Sequence, residues 1–196
     1  MHSNYAQNSN ALLLGSWESV SSHNGRVQLI NIEPDTTIYM QTDLAAEYTY
    51  SIAGNKMIAT LLNSAKSIID TTDIIFKKDT VVSILKRNGK EEITTMVRLS
   101  GDTSNSTGIV GNYKWKYPNA HTAFSKFTTD GRWIFRLPIE TRKGSYKLSS
   151  DTISVFYTGS EPAKMKYWAN DKLLILTDLK SGEDNLYKKT DYFIKD

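Results

Sequence analysis

The feature that most constrains this chain is an internal duplication: its 196 residues lie over themselves at an offset of 95 to 96. Leu14-Gly15-Ser16-Trp17 falls on Val110-Gly111-Asn112-Tyr113, and Pro34-Asp35 falls on Thr129-Asp130. The register continues with Tyr48-Thr49-Tyr50-Ser51-Ile52 on Gly144-Ser145-Tyr146-Lys147-Leu148. After a small gap, Lys78-Asp79-Thr80-Val81-Val82 falls on Asn170-Asp171-Lys172-Leu173-Leu174. Four matches in one order signify a repeated structural unit. Between the copies, residues 101–108 have no apolar side chain and carry glycine at both ends, as a linker does. The domain plan is one copy over 11–100, a linker over 101–108 and a second copy over 109–193.

Inside each copy, short runs with alternating polar and apolar side chains are separated by turn dipeptides: Asn24-Gly25, Pro34-Asp35, Gly54-Asn55, Asn88-Gly89, Asp130-Gly131 and Ser181-Gly182. Alternation puts every second side chain on one face of a strand, and such turns fold each strand back on the last. The chain reads as hairpins in series, with about eight strands per copy. A meander of that size can curl until no edge is left unpaired. The predicted class is all-β, as two tandem antiparallel meander β-barrels or as one larger barrel to which each copy donates half. Two short helices are expected, over Ser9 to Leu14 and Ser64 to Ile69.

The first strand of the first copy, Leu13-Leu14-Gly15-Ser16-Trp17, carries the Leu-x-Gly-x-Trp opening of lipocalin-like domains. Phe127-Thr128-Thr129-Asp130-Gly131 and then Gly144-Ser145-Tyr146 carry two of their later features. Over nearly all of the chain after Asn10, the sequence resembles tandem copies of the short bacterial lipocalin-like family. That resemblance implies two lipocalin-like barrels and a small apolar ligand, with isomerase or cyclase activity in a minority of such proteins. It also implies a cation from the last strand over the first-strand aromatic ring, worth around 1 kcal/mol. Arg98 would cover Trp17 in the first copy. In the second, Lys188 or Lys189 would cover Tyr113, more weakly because lysine has no planar head to stack.

Alternation sends Tyr113, Trp115 and Tyr117 to one face of their strand and Lys114 and Lys116 to the other. The next hairpin repeats this, with Trp133 and Phe135 inward and Arg132 and Arg136 outward. Tyr146 and Tyr157 join from neighbouring strands. These seven aromatic residues are the expected ligand-binding set, lining a pocket for a small hydrophobic or amphipathic molecule. Should the protein be an enzyme, a cofactor-independent cyclase or isomerase fits best, with His23, His121, Tyr146 and Tyr157 as the acid or base groups. His23 and His121 are placed between the first and second strands of their copies, near a barrel mouth.

Other classes are disfavoured. Cysteine is absent, which removes disulfides and thiolate metal sites. No nucleophile elbow, zinc-protease helix or phosphate loop occurs, so neither metal nor cofactor is expected. The second half holds 15 Lys and Arg against 11 Asp and Glu, the first half 9 against 10. That surplus is too thin for a nucleic-acid binder, and alternation splits the Lys-Trp-Lys-Tyr cations and rings between opposite faces. No apolar run is long enough to span a membrane and no leader is visible, so a soluble protein, cytoplasmic by default, is expected. The pattern leaves the oligomeric state open.

Overall fold

In the computed structural model, residues 10–21, 25–62, 69–87, 89–99, 108–118 and 121–190 are described. The alternating runs form fourteen strands. The first copy supplies β1 (Gly15–Ser19), β2 (Arg26–Ile32), β3 (Thr37–Ala53), β4 (Lys56–Leu61), β5 (Ile69–Lys77), β6 (Thr80–Arg87) and β7 (Lys90–Arg98). The second supplies β8 (Gly111–Lys116), β9 (Thr122–Phe127), β10 (Arg132–Ser149), β11 (Thr152–Tyr157), β12 (Ala163–Ala169), β13 (Leu173–Asp178) and β14 (Asp184–Thr190). Each copy thus has seven strands, and the all-β class holds. The helix expected at 9–14 is one turn, α1 (Asn10–Leu13). Residues 64–68, most of the expected linker (101–107) and His23 lie outside the described residues.

All pairings are antiparallel, and the hydrogen-bonded order runs β1-β14-β13-β12-β11-β10-β9-β8-β7-β6-β5-β4-β3-β2 and back to β1. One further pairing joins β10 to β3. The chain divides into two compact units, residues 1–43 with 139–196 and residues 44–138. The long strands β3 and β10 run through that division. In the first unit, Tyr146 N–H of β10 donates to the carbonyl of Thr36, just before β3, at 2.9 Å; in the second, Tyr50 N–H of β3 donates to the carbonyl of Gly131, just before β10, at 2.7 Å. The sheet is thus one antiparallel ring of fourteen strands with a cross-pairing of β10 to β3.

This differs from the copy-by-copy plan of 11–100 and 109–193. Each unit takes three strands from the start of one copy and five from the end of the other, counting β3 and β10 in both. The reason lies in β3 and β10, 17 and 18 residues long. Strands of that length rise roughly 55–60 Å at about 3.3 Å per residue, several times what a small ring needs.

The cation contacts show the exchange. Lys189 lies over Trp17 at 4.1 Å and Arg98 over Tyr113 at 4.9 Å. The expectation of Arg98 over Trp17 and lysine over Tyr113 is overturned, because β14 pairs with β1 and β7 with β8. Gly15 of the Leu-x-Gly-x-Trp run is required by its backbone, whose φ of 108° other residues rarely adopt, and a Cβ there would also stand 2.8 Å from Lys189 Nζ. Burial lowers the Lys189 pKa, as expected of an ammonium drawn onto an aromatic ring. A second symmetric pair follows the offset. The Tyr50 hydroxyl donates to the Thr128 carbonyl and the Tyr146 hydroxyl to the Glu33 carbonyl, both at 2.8 Å.

Candidate functional site

The interior of the 1–43 and 139–196 unit is packed. Trp17, Ile30, Ile32, Tyr146, Ile153, Tyr167, Leu174, Leu176 and Tyr187 form one buried cluster, with Tyr157, Leu148 and Met165 against it. Gly144, the first residue of the Gly-Ser-Tyr motif, is required here. A Cβ would meet the Tyr157 ring at 2.7 Å and the Phe156 carbonyl at 2.5 Å. A shallower cavity of about 580 Å³ opens at the end of this unit beside α1, lined by Leu14, Pro34, Tyr146 and Leu148.

The 44–138 unit is different. Its buried cluster of Met57, Ile74, Val81, Met96, Ile109, Tyr113 and Phe127 fills only part of the interior. Above it lies a cavity of about 480 Å³, within the range of roughly 300–1,000 Å³ typical of small-molecule sites. The duplication shows why the space is there. Leu176 faces Tyr167 across β13 and β12; matched bonds, Ile74 N–H to the Asn55 carbonyl and Tyr167 N–H to the Asp151 carbonyl, shift the sequence alignment here by one residue, so the corresponding pair across β6 and β5 is Ser83 and Ile74. Two residues along, Met165 is replaced by Thr72. Smaller side chains at matched positions leave the volume open.

Two walls enclose it. Strands β8 to β10, with β3 beside them, carry aromatic rings. Trp133 stacks on Tyr48 with centroids 4.5 Å apart and on Phe127 at 5.4 Å. Trp115, Tyr117 and Phe135 meet one another at 5.5–6.1 Å, tilted by 43–50°. The Trp115 indole N–H donates to Ser125 Oγ at 3.1 Å. Strands β5 to β7 carry Thr72, Ser83, Leu85, Thr94 and Met96, and Met57 and Ala59 come from β4. Charged lining residues sit near strand ends: Asp70 second in β5, Glu92 third in β7 and Lys116 last in β8. Arg87 pairs with Asp70. Burial, and then the Asp70 charge, push the Tyr48 phenol above its ordinary pKa.

Of the expected ligand-binding residues, Trp115, Tyr117 and Trp133 line this cavity. Phe135 packs on the first two, and Tyr113 is buried in the cluster beneath. Lys114, Lys116 and Arg132 are exposed, as alternation requires, but Arg136 is 4% exposed and so corrects the outward placement made for it. Tyr146 and Tyr157 are not brought to the cavity. They belong to the other unit, because β10 after Pro138 and all of β11 close with the first copy's β1 and β2. His121 is exposed and outside the lining. Met57, Ala59, Thr72, Ser83, Thr94 and Tyr48 were not anticipated, since they come from the first copy. The uninterrupted pattern from Thr37 to Ala53, with no turn dipeptide, was the available signal.

Tyr157 and Tyr187 serve packing instead. Burial pushes both phenols up to about 12 from 10.0. The folded chain keeps these protons up to about pH 12, while unfolded tyrosines shed them near 10.0. The unfolded state binds fewer protons between those values, so stability that is fully present below about 10 is expected to fall as pH rises from there toward 12, with no pH dependence from these groups below 10. A phenolate absorbance titration checks this. Two late-ionising tyrosines that vanish in Tyr157→Phe with Tyr187→Phe are the expected result, and full ionisation near 10 without unfolding contradicts it.

Among the described residues no acidic or histidine cluster could hold a metal ion, and no helix is long and apolar enough to cross a membrane. No protein-family model, curated protein or solved structure matches the chain.

Proposed function

We propose that the protein binds a small hydrophobic or amphipathic molecule in the cavity of the 44–138 unit, in the manner of a lipocalin-like barrel. The observation that carries this reading is the pairing of about 480 Å³ of open interior with a lining of Met57, Met96, Leu85, Trp115, Phe127 and Trp133. In the other unit Leu176 and Met165 fill the matched interior positions, and its cavity of about 580 Å³ lies at the end beside α1 instead. A bound molecule accounts for the difference. A cofactor-independent cyclase or isomerase would need an acid or base at the cavity. The lining holds Asp70, Glu92, Lys116 and Tyr117, but His121, Tyr146 and Tyr157, the groups named for that chemistry, lie outside it, so binding is the function put forward.

A panel of fatty acids and apolar dyes is expected to quench tryptophan emission and raise the melting temperature. At a hundredfold excess over Kd a ligand adds about 2.7 kcal/mol. Ala59, 1% exposed and in the lining, allows the site to be closed from within. Ala59→Phe is expected to abolish the response at a cost of about 1–3 kcal/mol from overpacking. A panel without effect on the unaltered protein refutes the proposal, and an undiminished response in a folded Ala59→Phe variant moves the site elsewhere.

A further inference from the structure

We infer that the occupant is a flat, conjugated molecule with hydrogen-bonding groups along one edge rather than a saturated acyl chain; this rests on the cavity being a binding site. The cavity is two-sided. On one side stand Trp115, Tyr117, Phe127 and Trp133, on the other the hydroxyls of Thr72, Ser83 and Thr94. The register puts Ser83 directly opposite Thr94 across β6 and β7, with Thr72 one inward position along on β5, opposite Leu85. The three hydroxyls thus form a short row on adjacent strands.

Thr72 is 6% exposed, and none of the three hydroxyls has a hydrogen-bond partner among the described residues. On the aromatic side the Trp133 indole N–H is buried and likewise finds no acceptor among the described residues. Ser83 and Thr94 are half-buried and all three hydroxyls face the cavity, open to an occupant, while the buried Trp133 N–H is the donor that an occupant would have to satisfy. In the packed unit the positions matching Thr72 and Ser83 are Met165 and Leu176, which carry no hydroxyl, and the one matching Thr94 is Asn185, which is exposed. A polymethylene chain would leave all three hydroxyls unmet. A flat ring system would lie against Trp115 and Tyr117 and turn its polar edge to Thr72, Ser83 and Thr94, in the orientation aromatic contacts favour.

The test compares a trihydroxyflavone, unsubstituted flavone and palmitate by calorimetry on the full chain, with Thr72→Val, Ser83→Ala and Ala59→Phe variants. The trihydroxyflavone is expected to bind at least tenfold more tightly than flavone, and palmitate more weakly than either. Thr72→Val and Ser83→Ala, which keep side-chain bulk or reduce it by one atom, are expected to weaken the trihydroxyflavone by about 5–10-fold each, the worth of one neutral hydrogen bond. Flavone, which keeps only its ring carbonyl and ether oxygen, should weaken less than the trihydroxyflavone in them, and Ala59→Phe should eliminate every signal. Palmitate binding most tightly, or equal affinity for the two flavones, overturns the inference while leaving the cavity as a binding site. Silence from all three probes and from the wider panel removes the binding reading as well.

Discussion

Replacing Trp17 with alanine is expected to destabilise the fold by about 3–5 kcal/mol, as truncation of a fully buried indole does elsewhere. Trp17 is 0% exposed and lies in the cluster that fills the first unit. Its indole N–H donates to the Leu13 carbonyl at 2.8 Å, which holds the turn of α1 against β1. The Lys189 ammonium sits over its face and donates to the Leu14 carbonyl. One ring thus packs the interior, anchors the entering chain and receives the cation that joins β14 to β1. Trp17→Phe should keep most of the packing and lose the hydrogen bond and part of the cation contact, at about 1–2 kcal/mol. Urea unfolding with an unchanged slope measures both losses. A Trp17→Ala loss below about 1 kcal/mol would mean the ring is not packed as described.

The second large effect is expected at Arg98. Its guanidinium donates to the Val110 carbonyl at 2.8 Å, the Gly108 carbonyl at 3.2 Å and the Tyr113 hydroxyl at 2.7 Å, and it stacks on the Tyr113 ring. A planar head with several fixed donors does this, and an ammonium does not. Arg98→Ala is expected to cost about 2–3 kcal/mol, the range for hydrogen bonds from a charged group, and Arg98→Lys about half of that. The informative measurement is a double-mutant cycle. Arg98→Ala with Tyr113→Phe should show a coupling of about 0.5–3 kcal/mol, whereas Arg98→Ala with Trp17→Phe should add within about 0.5. The reverse result would restore a plan in which each copy closes on itself.

That cycle marks the line between what neighbouring residues specify and what they do not. Faces were legible: Tyr113, Trp115 and Tyr117 turn inward while Lys114 and Lys116 are exposed, since a strand's period of two is a local property. Turns were legible too, as at Gly54 and Gly131, whose φ values of 61° and 78° lie in the left-handed region glycine tolerates. At Gly131 a Cβ would also come within 3.1 Å of the Tyr50 carbonyl. The aromatic half of the candidate site could be named from this pattern, because it lies on consecutive hairpins. The hydroxyl half could not. Thr72, Ser83 and Thr94 read as ordinary strand residues until β5 to β7 are known to close against β8 to β10.

Arg136 shows the same limit. Its position in the alternation points outward, yet it is buried, with one guanidinium nitrogen donating to the Phe135 carbonyl. It stands two residues before the division between the units, opposite Phe124 of β9. Exposure there depends on what lies alongside, which no local period encodes.

By itself, the amino-acid sequence determined the all-β class, the duplication, the strand faces and the aromatic side of the cavity, because each follows from side-chain spacing or turn chemistry over a few residues. Only the tertiary structure decided which copy's strands close on which, and so where the cavity opens and what its other wall is. The two first-strand rings are interchangeable partners for the two last-strand cations as far as local chemistry goes. What breaks the tie is the uninterrupted length of β3 and β10, which carries each copy out of one unit and into the other.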